Sequence, residues 1–402
     1  MLDDLIDGNA AHRRGTLWNG VNMRSAELFA GCGGLALGMS RAGFSHSLMA
    51  EYDFDAVATA QFNKDRALKH VKHWPVAQTD VREINWEPLR GQLAVVSGGP
   101  PCQPFGIGGK KLGPDDSRDM WPEAVRAIRE AEPEGFLFEN VRNIAGPKFR
   151  GYLEWILEHL RRPTEVRRIG EYHDEHLARL LAMDEPPEYR VAWQIVNAAD
   201  YGAPQIRHRV LIFGVHGRSG IVPQVMPPTH SRDRLIWDQY VSGVYWDRHG
   251  LRRRNEPISL HDRNRLATLR VRGIEPEGLP WVTVRDAIAD LGEPDGHRNH
   301  VFQPGAKVYP GHTGSPLDLP SKALKAGDHG VPGGENMMVR DDKSVRYFTT
   351  REAARLVGLP DDYLFPRSWS ESMRQLGNAV PAQLGEAAGR WLKDMIFGSS
   401  LQ

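Results

Sequence analysis

Short apolar runs in the first 141 residues each give way to a turn, an acid or a glycine–proline cluster, and helical patterns fill the gaps between them. Ser25–Ala30 runs into Gly31–Gly34 and a small-residue helix that ends near Gly43, and His46–Ala50 is apolar again and stops at Glu51. Leu93–Ser97 is closed by Gly98-Gly99-Pro100-Pro101, Met120–Ala131 carries helical spacing, and Gly135–Phe138 stops at Glu139-Asn140. Repeated strand, turn and helix is the signature of βαβ units, which build a mostly parallel sheet with helices on both faces. Ligands of such sheets bind beyond the carboxyl ends of the strands. Chemistry-bearing residues are therefore expected just after the apolar runs, and that is where they stand.

The regular pattern loosens after Val215. From about Pro227 to Arg340 the chain is rich in Pro, Gly, Arg, His and aromatics, which reads as a separate, smaller, loop-rich module. Regularity returns with Thr349–Val357, read as a helix capped by Thr350 with Glu352 close behind, and with Ala382–Ile396 after Gly377-Asn378-Ala379-Val380-Pro381. The expected division of the 402 residues is an extension over 1–24, a catalytic domain over 25–226, the module over 227–345 and a C-terminal segment over 346–402 that returns to the catalytic domain. A mean hydropathy of -0.48 and the lack of any apolar stretch near 20 residues exclude a membrane span. The opening MLDDLIDGNAAHRRG does not read as a secretory signal. Two cysteines, Cys32 and Cys102, exclude a disulfide scaffold and fit a reducing, cytoplasmic setting.

Phe29-Ala30-Gly31-Cys32-Gly33-Gly34 is a glycine turn between strand and helix, where backbone N–H groups approach a ligand closely. Gly31, Gly33 and Ala36 satisfy the dinucleotide spacing, and Glu51 follows Gly31 at the distance at which an acid grips ribose hydroxyls. This feature alone leaves a nicotinamide cofactor and S-adenosyl-L-methionine both open. Asp80, after Gln78-Thr79, stands at another strand end, where a solvated loop aspartate is the plainer reading.

Ser97-Gly98-Gly99-Pro100-Pro101-Cys102-Gln103-Pro104-Phe105 decides between them. It sets a cysteine on a proline-bracketed loop directly after a strand, followed by Gly106-Ile107-Gly108-Gly109-Lys110-Lys111. A thiolate is a strong nucleophile in such a partly exposed, electropositive setting. With these residues in view, the chain resembles the DNA (cytosine-5) methyltransferases. Pro-Pro-Cys-Gln at 100–103 matches their nucleophile motif, Phe29–Leu35 their S-adenosylmethionine loop, and Glu139-Asn140-Val141 their Glu-Asn-Val triplet. Gln205-Ile206-Arg207-His208-Arg209 matches Gln-x-Arg-x-Arg, and Arg351–Tyr363 and Gly377–Pro381 resemble the two C-terminal motifs. The matches run in family order from about 25 to 396 and leave only the middle module unmatched.

The resemblance implies a Rossmann-like S-adenosylmethionine-dependent methyltransferase fold with a target-recognition domain. It implies methyl transfer to carbon 5 of a flipped-out cytosine in a short specific duplex. Cys102 would attack carbon 6, Glu139 would share a proton with ring nitrogen 3 and the exocyclic amine, and Arg207 and Arg209 would bind the carbonyl oxygen and hold the nucleophile loop. Phe29, Gly31, Gly33 and Gly34 would hold the amino-acid part of S-adenosyl-L-methionine, Glu51 its ribose, and Tyr52, Asp80 and Val81 its adenine, with Pro100 and Asn378 completing the pocket. S-adenosyl-L-homocysteine would leave as product, and no metal is called for. The implied partners are double-stranded DNA and, in a restriction-modification or other defence system, a cognate endonuclease, with the chain itself a monomer. Cys32 reads as a packing residue. The RNA cytosine-5 methyltransferases would use the same residues, but no Cys-Phe-Thr tripeptide typical of the transfer-RNA group is present. A non-catalytic S-adenosylmethionine-binding regulator would be expected to lack Cys102, Glu139 or the arginines.

Charge sharpens the partner. Lys+Arg and Asp+Glu both number 51, yet Thr229–Ile274 alone holds ten Arg against five acids. Tyr240, Tyr245 and Trp246 interleave with Arg252, Arg253 and Arg254, followed by Arg263, Arg265, Arg270 and Arg272, as phosphate and base-edge contacts would require. A glycine-rich stretch over Lys322–Glu335 suits a loop that approaches a groove. The expectation is a basic recognition module on a mildly acidic catalytic body.

Overall fold

Buried apolar segments set the architecture. The computed structural model describes residues 23–101, 119–255, 259–310, 312–326 and 336–398. Its strands begin with β1 (Arg24–Leu28), β2 (Ser45–Glu51), β3 (Val76–Gln78), β4 (Val95–Gly98) and β5 (Gly135–Val141), and continue with β6 (Tyr189–Asn197), β7 (Gln205–Ile206) and β8 (His208–His216). All but β7 form one seven-stranded sheet in the order β3-β2-β1-β4-β5-β8-β6. The first five strands are parallel, and β8 runs antiparallel between β5 and β6. Leu28 pairs with Gly98 and Gly98 with Phe138, so β1 and β4 end level with Phe138 while β5 continues through Glu139-Asn140 to Val141. The segments that leave them, the glycine turn, the Pro-Pro loop and Glu139-Asn140, start side by side.

Helices cover both faces, as parallel strands demand. They are α1 (Gly34–Arg41), α2 (Phe54–Asp65), α3 (Trp121–Ala131), α4 (Arg150–Arg161) and α5 (His173–Leu181), then α6 (Arg232–Tyr240), α7 (Val244–Arg248), α8 (Leu260–Arg272) and α9 (Val284–Ile288), and last α10 (Thr350–Leu356), α11 (Trp369–Asn378) and α12 (Ala382–Phe397). Trp121, Phe136, Phe138, Trp155 and Tyr189 fill one face. Leu35, Met39, Val95, Leu137, Phe213 and Leu384 fill the other. The C-terminal helix α12 thus returns to lie on the first helix, α1. The cap of α10 is Thr349, not Thr350: the Thr349 hydroxyl accepts from the Glu352 N–H and the Glu352 carboxylate accepts from the Thr349 N–H. This reciprocal pair fixes the start of the helix one residue earlier than its sequence suggests, and leaves Thr350 buried inside it.

The interval between β8 and α10 does not pack around one core of its own. Leu235, Tyr245, Trp246 and Trp281 cluster with Ala199, which follows β6. Val284, Ile288, Leu324, Met338 and Phe348 join Ala30, Cys32 and Leu37 beneath the loop that follows β1.

Candidate active site

The loop after β1 is tied down from three sides. The Gly31 N–H donates to Glu51 Oε2 at 2.7 Å, and the Asp53 N–H donates to Glu51 Oε1 at 2.8 Å. One carboxylate so joins the ends of β1 and β2, while its remaining lone pairs stay open to ribose hydroxyls. Gly33 has a φ of +85°, and a Cβ there would be driven into the ring of Trp74. Trp74 is itself fixed, its indole N–H donating to Ser40 Oγ at 3.1 Å. From the far end of the chain Tyr363 donates its hydroxyl to the Cys32 carbonyl at 2.6 Å. Burial pushes the Cys32 thiol up to about 12, so this cysteine is an inert filler, as its sequence position suggested. Trp74 gave no sequence signal, because its role depends on its ring lying over Gly33.

Beside the loop lies an open cleft of about 650 Å³ lined by Tyr52, Asp53, Phe54, Gln78, Thr79, Asp80 and Glu83. Tyr52 is 75% exposed on its rim. Asp80 caps the short turn Val81–Glu83 and accepts from Arg82 through both carboxylate oxygens, which holds its carboxyl below its ordinary range. Val81 is buried, with its carbonyl accepting from Arg126 Nη2 at 2.7 Å. The Arg374 guanidinium reaches Asp53 at 2.8 Å and anchors α11 to this rim, and exposed Asn378 ends that helix. A Cβ at Gly31 would meet no atom within 4 Å, so there is open space above the turn. Glycine backbone, the Glu51 carboxylate and a cleft walled by Tyr52 and Phe54 are of the kind S-adenosyl-L-methionine would need.

The second centre forms where β4 and β5 end. Cys102 lies outside the described residues, as does the rest of 102–118. The segment leading to it is fixed by Asn140, which is buried and donates its side-chain N–H to the Pro100 carbonyl at 3.0 Å. Asn140 Oδ1 accepts the Val141 N–H at 2.9 Å. Glu139 is 9% exposed, and its Oε1 is 2.5 Å from Arg209 Nε. The other oxygen, Oε2, faces Gly99, where a Cβ would come within 3.2 Å of it. Arg209 thus orients Glu139 from the neighbouring antiparallel strand, one diagonal step along the ladder that pairs Glu139 with Leu211.

Arg207 does not join them. Its Nη2 donates to the Gly377 carbonyl at 2.7 Å and its Nη1 to the Leu324 carbonyl at 3.2 Å, and the residue is 2% exposed. Alternation along the chain put the two arginines on one face, but the break between β7 and β8 falls at Arg207 and sends it toward the C-terminal segment.

The arginine-rich interval also departs from expectation. Tyr245 and Trp246 are fully buried. The Tyr245 hydroxyl donates to Asp318 Oδ1 at 3.0 Å, and the Trp246 indole N–H donates to the Gln239 carbonyl at 2.5 Å. These rings pack inward in the cluster that includes Ala199 and are not available to bases. Arg232, Arg234, Arg248, Arg253, Arg254 and Arg265 each close on an acid, among them Asp262, Asp238, Asp286 and Asp318. Arg270 donates to the carbonyls of Tyr240 and Asn255. Six of the ten arginines therefore already close on acids of the protein itself.

A sequence model of the C-5 cytosine-specific DNA methylases matches residues 23–163 and 168–394. The type II methyltransferase M.NgoMIV of Neisseria gonorrhoeae is 28% identical over 375 residues, covering 92% of this chain and 97% of that protein. M.PspPI, a type II methyltransferase of a Psychrobacter strain, is 29% identical over 374 residues, covering 92% of this chain and 79% of its own length. In fold, the crystal structure of the S. pombe Dnmt2 methyltransferase aligns over 92% of this chain and 98% of that one, at a TM-score of 0.52 and 15% identity.

Proposed function

The chain belongs to the C-5 cytosine-specific DNA methylase family, and from that premise we propose that it methylates carbon 5 of a flipped-out cytosine in a short duplex sequence through a covalent adduct with Cys102. The observation that carries this reading is the pairing of two strand ends. Glu139, oriented by Arg209, stands next to Asn140, which holds the Pro100 carbonyl two residues before Cys102.

Carbon 5 of cytosine is too weak a nucleophile to take a methyl group unaided. The Cys102 thiolate adds to carbon 6, the electron pair of the 5,6 double bond moves into the ring, and Glu139 shares a proton with ring nitrogen 3 through Oε2, the oxygen not held by Arg209. S-adenosyl-L-methionine, held by Glu51 and Tyr52, would supply an electrophilic methyl on a sulfonium, which carbon 5 would take as S-adenosyl-L-homocysteine leaves. Loss of the carbon 5 proton to water or hydroxide then expels the Cys102 thiolate and restores the double bond. The target must leave the stack to reach Cys102, and the Arg207 clamp keeps the Gly377–Pro381 segment in place beside the pocket. The family model is written for DNA methylases, which favours DNA over RNA as substrate. We extend to this chain the type II setting of its relatives, with a cognate endonuclease and action as a monomer.

Purified protein is incubated with S-adenosyl-L-methionine and duplex DNA, and the product is read by bisulfite sequencing. Conversion-resistant cytosines at one short sequence, absent with Cys102→Ala, are expected, and DNA carrying 5-fluorocytosine should trap the protein covalently. Methylation that survives Cys102→Ala, or turnover without a trapped adduct, overturns the mechanism.

A further inference from the structure

We propose that Arg142, Lys148 and Arg150 grip the phosphate backbone of the duplex beside the target cytosine. The proposal rests on the function given above and moves the backbone contact from the arginine-rich interval to the catalytic body.

The segment over 140–150 carries three bases and no acid. It leaves the sheet at the carboxyl end of β5, and Arg142 follows Glu139 by three residues, a span of at most about 10 Å. Val141, the last residue of β5, pairs with Arg209 on β8, and Arg142 leaves the sheet directly after it. Burial and the nearby Arg142 together lower the His208 ring from its ordinary value. All three cations are exposed, and among the described residues none closes on an acid. The Lys148 ammonium lies over the Phe149 ring at 5.3 Å, a contact that holds the cation in place without neutralising its charge. Arg150 opens α4, an end at which the helix dipole disfavours a cation. Three exposed cations on the segment that follows Glu139, none of which closes on an acid among the described residues, suit an external polyanion. The contrast is with Arg232, Arg234, Arg248, Arg253, Arg254 and Arg265, whose charges are already met by acids.

A second basic cluster, with Lys69 and Lys72 exposed, provides the control. It follows the C-terminal end of α2, a 12-residue helix that starts beside the cleft and runs about 18 Å back toward the opposite end of the sheet.

The test compares the wild-type protein with the triple variant Arg142→Gln, Lys148→Gln, Arg150→Gln and the control Lys69→Gln, Lys72→Gln. Affinity for a labelled duplex is measured by fluorescence anisotropy from 50 to 300 mM salt. Each lost phosphate contact should lower the slope of log K against log salt by about 0.9, giving a fall of about 2.7 for the triple variant. The control should keep the wild-type slope, and the methylated sequence should not change, because phosphate contacts position but do not specify. A fall smaller than one contact, or an equal fall in the control, overturns the proposal. If the triple variant does not fold, Arg142→Gln and Lys148→Gln are read singly against the value for one contact. The slope needs no turnover, so absent methylation by the wild-type protein would defeat the functional reading and leave this test legible.

Discussion

The guanidinium of Arg207 donates to the carbonyl of Gly377, 170 positions later in the chain, and to the carbonyl of Leu324. It fastens the segment that carries Asn378 to the start of β8, and a Cβ on residue 377 would collide with the backbone of Lys325 and Ala326. Lysine has a single compact charge and cannot bridge two carbonyls in this fork geometry. Arg207→Lys is therefore expected to lower stability by about 2 kcal/mol and to raise KM for S-adenosyl-L-methionine more than it lowers kcat. Urea unfolding and steady-state methyl transfer check both. A loss confined to kcat would return Arg207 to the substrate.

Asn140→Ala removes the side-chain donor to the Pro100 carbonyl and leaves that buried oxygen unsatisfied, at a cost of about 1–3 kcal/mol. The larger effect should fall on chemistry, since the nucleophile segment loses its anchor two residues before Cys102. We expect kcat to drop by about 100-fold, as misplacement of reacting groups by about 1 Å produces. Cofactor binding by calorimetry should stay within about twofold. Unchanged turnover would show that the bond does not position Cys102.

Gly33→Ala meets two obstacles, a positive φ of +85° and the Trp74 ring. The left-handed conformation costs about 1 kcal/mol for alanine and overpacking a further 1–3 kcal/mol. A melting temperature lower by several degrees and loss of S-adenosyl-L-homocysteine binding in calorimetry are expected. Gly31→Ala, with open space around the new Cβ but a φ of +54°, should melt closer to wild type while still weakening binding.

Glu27 lies buried at the centre of β1, where the Ser97 hydroxyl donates to Oε2. Burial lifts its carboxyl from 4.5 to about 8, against the opposing pull of that bond. The folded protein then holds a proton that the unfolded chain has released, so this residue makes stability fall as pH rises between about 4.5 and about 8. The half-buried ring of His46 and the buried ring of His159, held down to about 4 and about 3 chiefly by desolvation, act only below their ordinary 6.5 and take stability away as pH falls. Glu27→Gln keeps an acceptor for Ser97 and removes the titration. Chemical denaturation at pH 7 and pH 9 should show the wild type losing about 1–2 kcal/mol that the variant keeps. Parallel losses would mean that Glu27 is already ionised at pH 7.

The order of elements was legible because hydrophobic period and turn chemistry are local. Apolar runs of strand length between glycines and prolines mark β1, β2, β4 and β5, and the glycine turn, the Pro-Pro loop and Glu139-Asn140 were found at their ends. Adjacent threonines offer the same hydroxyl, so sequence alone cannot choose the cap of α10, and only the reciprocal bond to Glu352 selects Thr349 over Thr350. Tyr245 and Trp246 differ from expectation for another reason: aromatics interleaved with arginines in a sequence do not reveal which rings face inward.

The sequence alone determined the sheet class, the glycine loop with Glu51, the motif around Cys102 and the family to which they point. These rest on residues close in the chain, whose spacing is itself the signal. Tertiary structure decided which charges remain available. It paired Glu139 with Arg209, sent Arg207 to Gly377, laid Trp74 over Gly33, closed six arginines of the arginine-rich interval on acids and, among the described residues, left Arg142, Lys148 and Arg150 without one. Those outcomes depend on where distant segments meet, because an ion pair or a ring contact forms between neighbours in space, and a formal charge count is blind to that distance.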